Sequence, residues 1–384
     1  MRDSPAAIAR ARWAVAAIFF LNGVVIGTWA AQIPLVEERL KISHSTLGIA
    51  LFAMALGALA AMPLTGPVIA RFGSATVTRI ATPTLLVAFP LALLAPRLSL
   101  LLPAAFFFGA ANGVMDVAMN AHGVTVERRY GRPVMSSFHG MWSLGGLFGA
   151  GLAAVLLTAM PPVAQALLTV GLVLAVAIGA LSYLLPTKTD GGNIGTSIAL
   201  PNKATLGLGI LCFLCMTAEG AVLDWGALHL RSGLQVGPGL AATGFAAFSA
   251  SMAVGRLSGD WLRARFGAIP LVRWSAYLAA AGLIVALVVP WPLVAIAGFA
   301  LVGLGLANLV PVFFGAAGRI PGQSPGAAIA ALATIGYSGF VVGPPFIGFV
   351  ADATSLRTAL GLIVLACLAI ALAASIVEPG RKRG

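Results

Sequence analysis

The chain has 384 residues, 60% of them hydrophobic and only 9% charged, with mean hydropathy +1.00. A water-soluble domain carries roughly 25% charged residues, because its surface needs them, so water is not the solvent of this surface. A net charge of +12 would point to nucleic acid in a soluble protein, but there is no soluble domain to use it, and here it concerns orientation in a bilayer.

Crossing a bilayer core takes about 20 apolar residues in a helix. Twelve such runs occur, at 13–36, 45–70, 78–96, 99–124, 134–159, 162–186, 205–230, 238–262, 270–290, 292–317, 325–350 and 355–378. The first is a full-length span without a cleavage site behind it, so it reads as an anchor and not as a cleavable signal. It carries Asn22, Trp29 and Gln32, and the second closes on Gly66, Arg71 and Gly73. The fourth grows out of "LLLPAAFFFGAA" into "NGVMDVAMNAHGVTVERR". On a helix Asn112, Asp116, Asn120 and Glu127 fall within about 80° of one another, one polar face in an apolar run. His122 points away from that face and reads as a helix-end residue, and the fifth span opens with His139 and Trp142 in "MSSFHGMWSLGG".

The longest polar stretch, "TKTDGGNIGTSIALPNK", follows the sixth span. It reads as a cytoplasmic linker over 187–204 that separates an N-terminal half, 1–186, from a C-terminal half, 205–384. The seventh span holds Glu219, Asp224 and Trp225. Five residues put the two acids about 140° apart, so they do not share a face. Cys212, Cys215 and Cys367 lie inside spans and read as small packing residues rather than metal ligands. The eighth span ends with Arg256, Asp260, Arg265 and Gly267, the tenth carries Asn308, and the eleventh carries Tyr337. Trp13, Trp261, Trp274 and Trp291 sit at span ends as interfacial anchors. His44 and His229 lie at or beyond the outer ends and read as solvated.

The halves repeat each other. "ARFGSATVTR" at 70–79 returns as "ARFGAIPLVR" at 264–273, 194 residues later, and "GAAN" at 109–112 is echoed by "GLAN" at 305–308. With the N-terminus placed in the cytoplasm, eighteen of the 23 Lys and Arg fall on the cytoplasmic side. Only Arg39, Lys41, Arg97, Arg231 and Arg357 fall outside. That bias fits an even number of spans with both termini cytoplasmic.

A duplicated six-helix unit with these loops resembles the major facilitator superfamily over the whole chain. Gly66, Arg71 and Gly73 match its loop signature in one half; Gly255, Arg256, Arg265 and Gly267 match it in the other. The signature acid is replaced by Ala70 and Ala264, leaving Asp260 as a substitute in the second half only. "GYSGFVVGPPFIGFVAD" looks like the superfamily's eleventh helix, and the "MSSFHGMWSLGG" region resembles a bacterial branch near the fucose permeases. The resemblance implies an all-α integral membrane fold: twelve transmembrane helices in two pseudo-symmetric six-helix bundles around a central cavity. It also implies that the first, fourth, seventh and tenth helices line that cavity.

On that basis Asn22, Trp29, Gln32, Asn112, Asn120, Trp142, Asp224, Trp225, Asn308 and Tyr337 are candidate substrate-binding residues. Amides bind hydroxyls while indole faces stack on apolar rings; the alternative for each Asn is a packed interhelical hydrogen bond. An ionisable group in a span is costly and marks a functional site by default. Asp116 is accordingly the first candidate for proton coupling, with His139 as partner and a structural Asp–His or Asp–Asn bond as the alternative. Glu219 is the second candidate, and Glu127 is the third unless it pairs with Arg128 or Arg129 at the membrane edge. Gly66, Arg71, Gly73, Arg256, Asp260, Arg265 and Gly267 read as conformational loop residues, with Arg71 and Arg265 contacting neighbouring helix ends. "GGLFGAG" at 145–151 and "GYSG" at 336–339 read as the places where the halves meet.

No Lys or Arg lies at mid-span by residue count, so no fixed cation is expected to hold an anionic substrate. The expectation is a monomeric, proton-coupled permease of the cell inner membrane for a small neutral, sugar-like solute, needing no cofactor or metal and binding no nucleic acid. Export of lipophilic or cationic compounds is the alternative. There is no HExxH arrangement for an integral-membrane enzyme, and a sensor would carry a soluble output domain.

The linker tests the topology. A single cysteine introduced between 187 and 204 should be labelled by membrane-impermeant thiol reagents only after the membrane is opened; labelling of intact cells would overturn the assignment.

Overall fold

The computed structural model describes residues 4–131, 134–186, 203–317, 320 and 325–378; for some of them, Gly66 and Asp260 among these, only the backbone is described. Every regular element among them is helical: α1 (Pro5–Leu40), α2 (His44–Phe72), α3 (Ser74–Leu93), α4 (Leu98–Tyr130), α5 (Met135–Leu156) and α6 (Pro162–Ser182) come first. They are followed by α7 (Lys203–Leu228), α8 (Pro238–Phe266), α9 (Ala268–Val288), α10 (Pro292–Leu306), α11 (Leu309–Ala317), α12 (Pro325–Ala353) and α13 (Leu356–Leu372). Helices are what a chain in lipid must form, since each backbone N–H and C=O is then satisfied within its own segment.

Among the described residues, eleven helical stretches are long and apolar enough to cross a membrane. The twelfth run exists as the 17-residue α13 followed by a short 3₁₀ turn at Ala374–Val377, at the lower end of spanning length. The tenth run, expected to be continuous, turns at Ala307–Asn308 and is thereby split into α10 and α11.

The helices form two compact units, one of α1–α6 with residues 237–246, the other of α7, the rest of α8 and α9–α13. In the first unit α1 packs along α5, and α2 and α3 pack on α4. Lipid tails are as apolar as leucine, so helices in a membrane associate through close packing rather than hydrophobic burial. The α1–α5 seam shows how. A Cβ added at Gly27 would lie 2.2 Å from the Gly146 carbonyl oxygen, and one at Gly149 would lie 2.2 Å from that of Val24. Gly23 and Gly145, four residues earlier on each helix, meet the carbonyls of Trp142 and Phe20 as closely. The "GGLFGAG" glycines expected between the halves therefore serve a seam inside the first unit. In the second unit the same holds for "GYSG": Gly336 lies on Cys212, and a Cβ at Gly339 would lie 2.5 Å from the Phe213 carbonyl oxygen, so α12 packs on α7.

The repeated "ARFG" is a joint. Gly73 (φ 79°) follows α2 and Gly267 (φ 82°) follows α8, each one residue before the next helix begins. An L side chain rarely adopts this backbone, so glycine is required by conformation.

The seam predicts opposite effects for one substitution at two sites. Gly149→Ala should lower the melting temperature in detergent, by an overpacking cost of about 1–3 kcal/mol. Gly171, which has nothing within 4 Å of an added Cβ, should tolerate Ala or gain from its higher helix propensity.

Candidate functional site

The polar face of α4 is real and it is partnered. Asn22 on α1 donates through Nδ2 to Asn112 Oδ1 on α4 at 2.9 Å, and Trp142 on α5 donates through Nε1 to Asn22 Oδ1 at 2.8 Å. Three helices thus share one chain of hydrogen bonds, which the glycine seam permits by bringing α1 and α5 together. One turn on from Asn112, Asp116 accepts from Asn120: Nδ2 lies 2.8 Å from the Asp116 carbonyl oxygen and 3.1 Å from its Oδ1. The hydrogen-bond partner of this carboxyl is an amide and not His139. His139 is exposed on α5, its ring edge-on to Phe19 at 5.3 Å. Glu127 caps the start of α5, its Oε2 accepting from the Val134 N–H at 2.6 Å.

Trp29 and Gln32 face the interior of the first unit. The Trp29 ring meets Phe108 edge-on at 5.3 Å, and its Nε1 is buried without a hydrogen bond among the described residues. Gln32 donates through Nε2 to Gln165 Oε1, and Gln165 donates to Thr169 Oγ1 at 3.1 Å; all three residues are fully buried. Gln165 and Thr169 were not singled out from the sequence, although their spacing of four in the otherwise apolar "PVAQALLTVG" was a usable signal.

In the second unit one cation lies inside a helix, near the end of its span rather than at mid-span. Arg256 lies within α8, ten residues before its end, and its Nη2 is 3.4 Å from Glu219 Oε1 on α7. Both side chains are half-buried, and the pair is compensated in place. Asp224 is half-buried with no hydrogen bond or ion pair among the described residues. Trp225 is fully buried, and Asn308 sits at the α10–α11 turn, where a Cβ added at Gly259 would lie 2.0 Å from its Oδ1. Tyr337 is exposed, its ring tilted against Phe340 at 6.3 Å.

Among the described residues, the arginines of the repeated joint make no hydrogen bond to a neighbouring helix end. Arg71 and Arg265 are exposed, and each guanidinium rests over the next residue's ring, Phe72 at 5.1 Å and Phe266 at 5.9 Å. Other basic side chains do cap helix ends: Arg79 donates to the Leu181 and Leu184 carbonyls at the end of α6, and Arg39 to those of Leu93 and Ala95 at the end of α3. Gly66 and Asp260 lie outside the described side chains.

The histidines read as solvated or terminal are held. His229 is buried, with Nε2 3.2 Å from the Ala286 carbonyl oxygen. His44 is half-buried, with Nδ1 2.5 Å from Glu37 Oε1. His122 is buried between Ser74 Oγ at 2.8 Å and the Leu185 N–H, which donates to its Nε2 at 3.2 Å.

Residues 15–344 match the Major Facilitator Superfamily. An uncharacterised MFS-type transporter of Yersinia pestis is 36% identical over 360 residues, covering 94% of both chains. The membrane protein MosC of Rhizobium meliloti is 36% identical over 373 residues, covering 96% of this chain and 90% of that one. Among solved structures, a variant of the nucleoside transporter NupG superposes with a TM-score of 0.79 over 96% of this chain and 99% of that one. At 14% identity this is a likeness of fold alone.

The Trp142–Asn22–Asn112 chain predicts non-additivity. Trp142→Phe and Asn112→Ala each remove a partner of Asn22, so their effects on the melting temperature should depend on each other, with a coupling of about 0.5–3 kcal/mol. Strict additivity in the double-mutant cycle would show that the chain is not energetically connected.

Proposed function

The chain belongs to the major facilitator superfamily and is a multi-pass membrane transporter, and on that premise we propose that it is a secondary active transporter coupled to protons. Its solute is small, neutral and hydroxylated, and it works as a monomer in the cell inner membrane with both termini cytoplasmic. It exposes its binding site alternately to the two sides.

The observation that carries this reading is the α4 face. Asn112 is oriented by Asn22, and beside it stands Asp116, a carboxyl whose partner is an uncharged amide. Proton uptake at Asp116 removes a charge without stranding another, which lowers the cost of closing a pathway around it. Glu219 is a poorer carrier by the same reasoning. A proton there would take away the carboxylate that faces Arg256, and removing one member of a partly buried pair is destabilising. Arg256 also does not argue for an anionic solute, because Glu219 already neutralises it. Amides and an indole that spend some of their hydrogen-bonding capacity on each other keep the remainder, in a fixed orientation, for solute hydroxyls.

A second reading, export of lipophilic or cationic compounds, is favoured by Asp224, a half-buried carboxyl with no partner among the described residues. Counterflow in proteoliposomes with radiolabelled sugars and polyols against lipophilic amines separates the two readings.

Asp116→Asn imitates the protonated form. It should abolish proton-driven accumulation, spare solute exchange, and flatten the pH dependence of transport. Retained accumulation with an unchanged pH profile would move the coupling site elsewhere; loss of exchange as well would mark Asp116 as a solute ligand or structural residue.

A further inference from the structure

A second polar cluster lies at one end of the first unit, away from the α4 face. Arg12 lies two residues past Arg10 on α1, and Trp13 directly follows it. The Arg12 guanidinium is 5.0 Å from the ring centre of Tyr130, the last residue of α4, and 5.3 Å from that of Trp13. Its Nη1 donates to the Tyr130 hydroxyl at 3.1 Å. Arg10 lies over the ring of Tyr183, just past α6, at 5.6 Å, and its Nε donates to the Ala6 carbonyl at 3.4 Å. Asn22 is ten residues beyond Arg12, about 15 Å along the helix axis.

Three features separate this cluster from an ordinary solvated charge run. First, neither arginine has an acidic partner among the described residues. A guanidinium carries five donors, and each of these two spends one on the protein. Second, their guanidiniums lie over aromatic rings. That orders the fork and leaves its edge to form paired bonds to a phosphate. Third, the rings are exposed on one side: Trp13 is 65% exposed and Tyr183 51% exposed. Around α1, Trp13 stands about 60° from Arg10 and about 100° from Arg12, between the two. Exposed Trp and Tyr at helix ends mark the depth where headgroups begin.

We infer that Arg12, over the rings of Tyr130 and Trp13, forms a binding site for the phosphate of an anionic phospholipid headgroup, with Arg10 over Tyr183 adding positive charge on the other side of α1. The indole and phenol rings lie against the glycerol and upper acyl region while the Arg12 guanidinium holds the phosphate. Such a lipid anchors the starting end of α1 to the membrane surface through charge, where α1 itself supplies no acid.

The full chain in detergent tests this. Cys212, Cys215 and Cys367 are free and buried, so a thiol-reactive dye reports unfolding. Added phosphatidylglycerol should raise the melting temperature more than an equal mole fraction of phosphatidylcholine. Arg10→Gln with Arg12→Gln should remove most of that difference, with headgroup affinity falling about fivefold per arginine. Arg97→Gln with Arg357→Gln, an equal loss of charge at helix ends outside the cluster, should keep it. The proposal is overturned if the first double variant retains the full phosphatidylglycerol increment, or if the control loses as much. It is equally overturned if inorganic phosphate at matched ionic strength reproduces the shift, which would make this a free-anion site. Should the double variant fail to fold, Arg12→Lys keeps the charge but not the flat fork; it should lose part of the increment, and an increment equal to wild type overturns the site.

Discussion

Close backbone approach between helices is the condition on which the rest of this molecule rests. In lipid there is no hydrophobic gain from pressing one apolar helix on another, so contact must come from surfaces that fit. Glycines at 23, 27, 145 and 149 let the backbones of α1 and α5 nearly touch. At that spacing a short Asn side chain on α1 reaches an indole on α5 and an amide on α4 at once. With larger residues at the seam, those three polar groups would be left without partners in a medium that offers none. The polar site is thus a product of apolar packing. In the second unit, α12 approaches α7 in the same manner, beside the span that carries Glu219.

Charge inside the spans is handled differently in the two units. In the first, Asp116 is met by an amide; in the second, Glu219 is met by Arg256. An amide accepts either protonation state of its neighbour, while an ion pair is committed to one. On the proposed reading, that difference in chemistry, more than depth or burial, makes Asp116 the group that cycles and Glu219 one that holds the structure together. Many of the remaining basic side chains serve backbone carbonyls at helix ends or lie on aromatic rings, which is how a strongly basic chain carries its charge without many ion pairs.

Fold class was readable because it depends on composition and length, both properties of the chain alone. The α4 face was readable because helical periodicity places Asn112, Asp116 and Asn120 together whatever surrounds them. What periodicity does not carry is the identity of the facing helix. Arg256 was counted as a loop residue because it sits near the repeated "ARFG", but α8 continues through that position and turns its guanidinium to α7. The "GGLFGAG" and "GYSG" glycines were legible as contact points, yet their partners turned out to lie within each unit. His229 appeared terminal because the apolar run ended there; a π-turn at His229–Gly233 extends α7 and brings the ring onto α9. Gln165 and Thr169 were overlooked because their partner, Gln32, lies 133 residues from Gln165 in sequence.

The single-residue joints at Gly73 and Gly267 have a mechanical consequence. A loop of several residues absorbs motion, since its torsions can trade against one another. Here α2 reaches α3 through Gly73, and α8 reaches α9 through Gly267. The angle between the helices of each pair is therefore set mainly by two torsions of one residue. Each pair behaves as a bent lever: displacement at the far end of one arm appears at the far end of the other with almost no slack. In a transporter built this way, movement of one arm of each pair would reach the other arm through the shortest of connections.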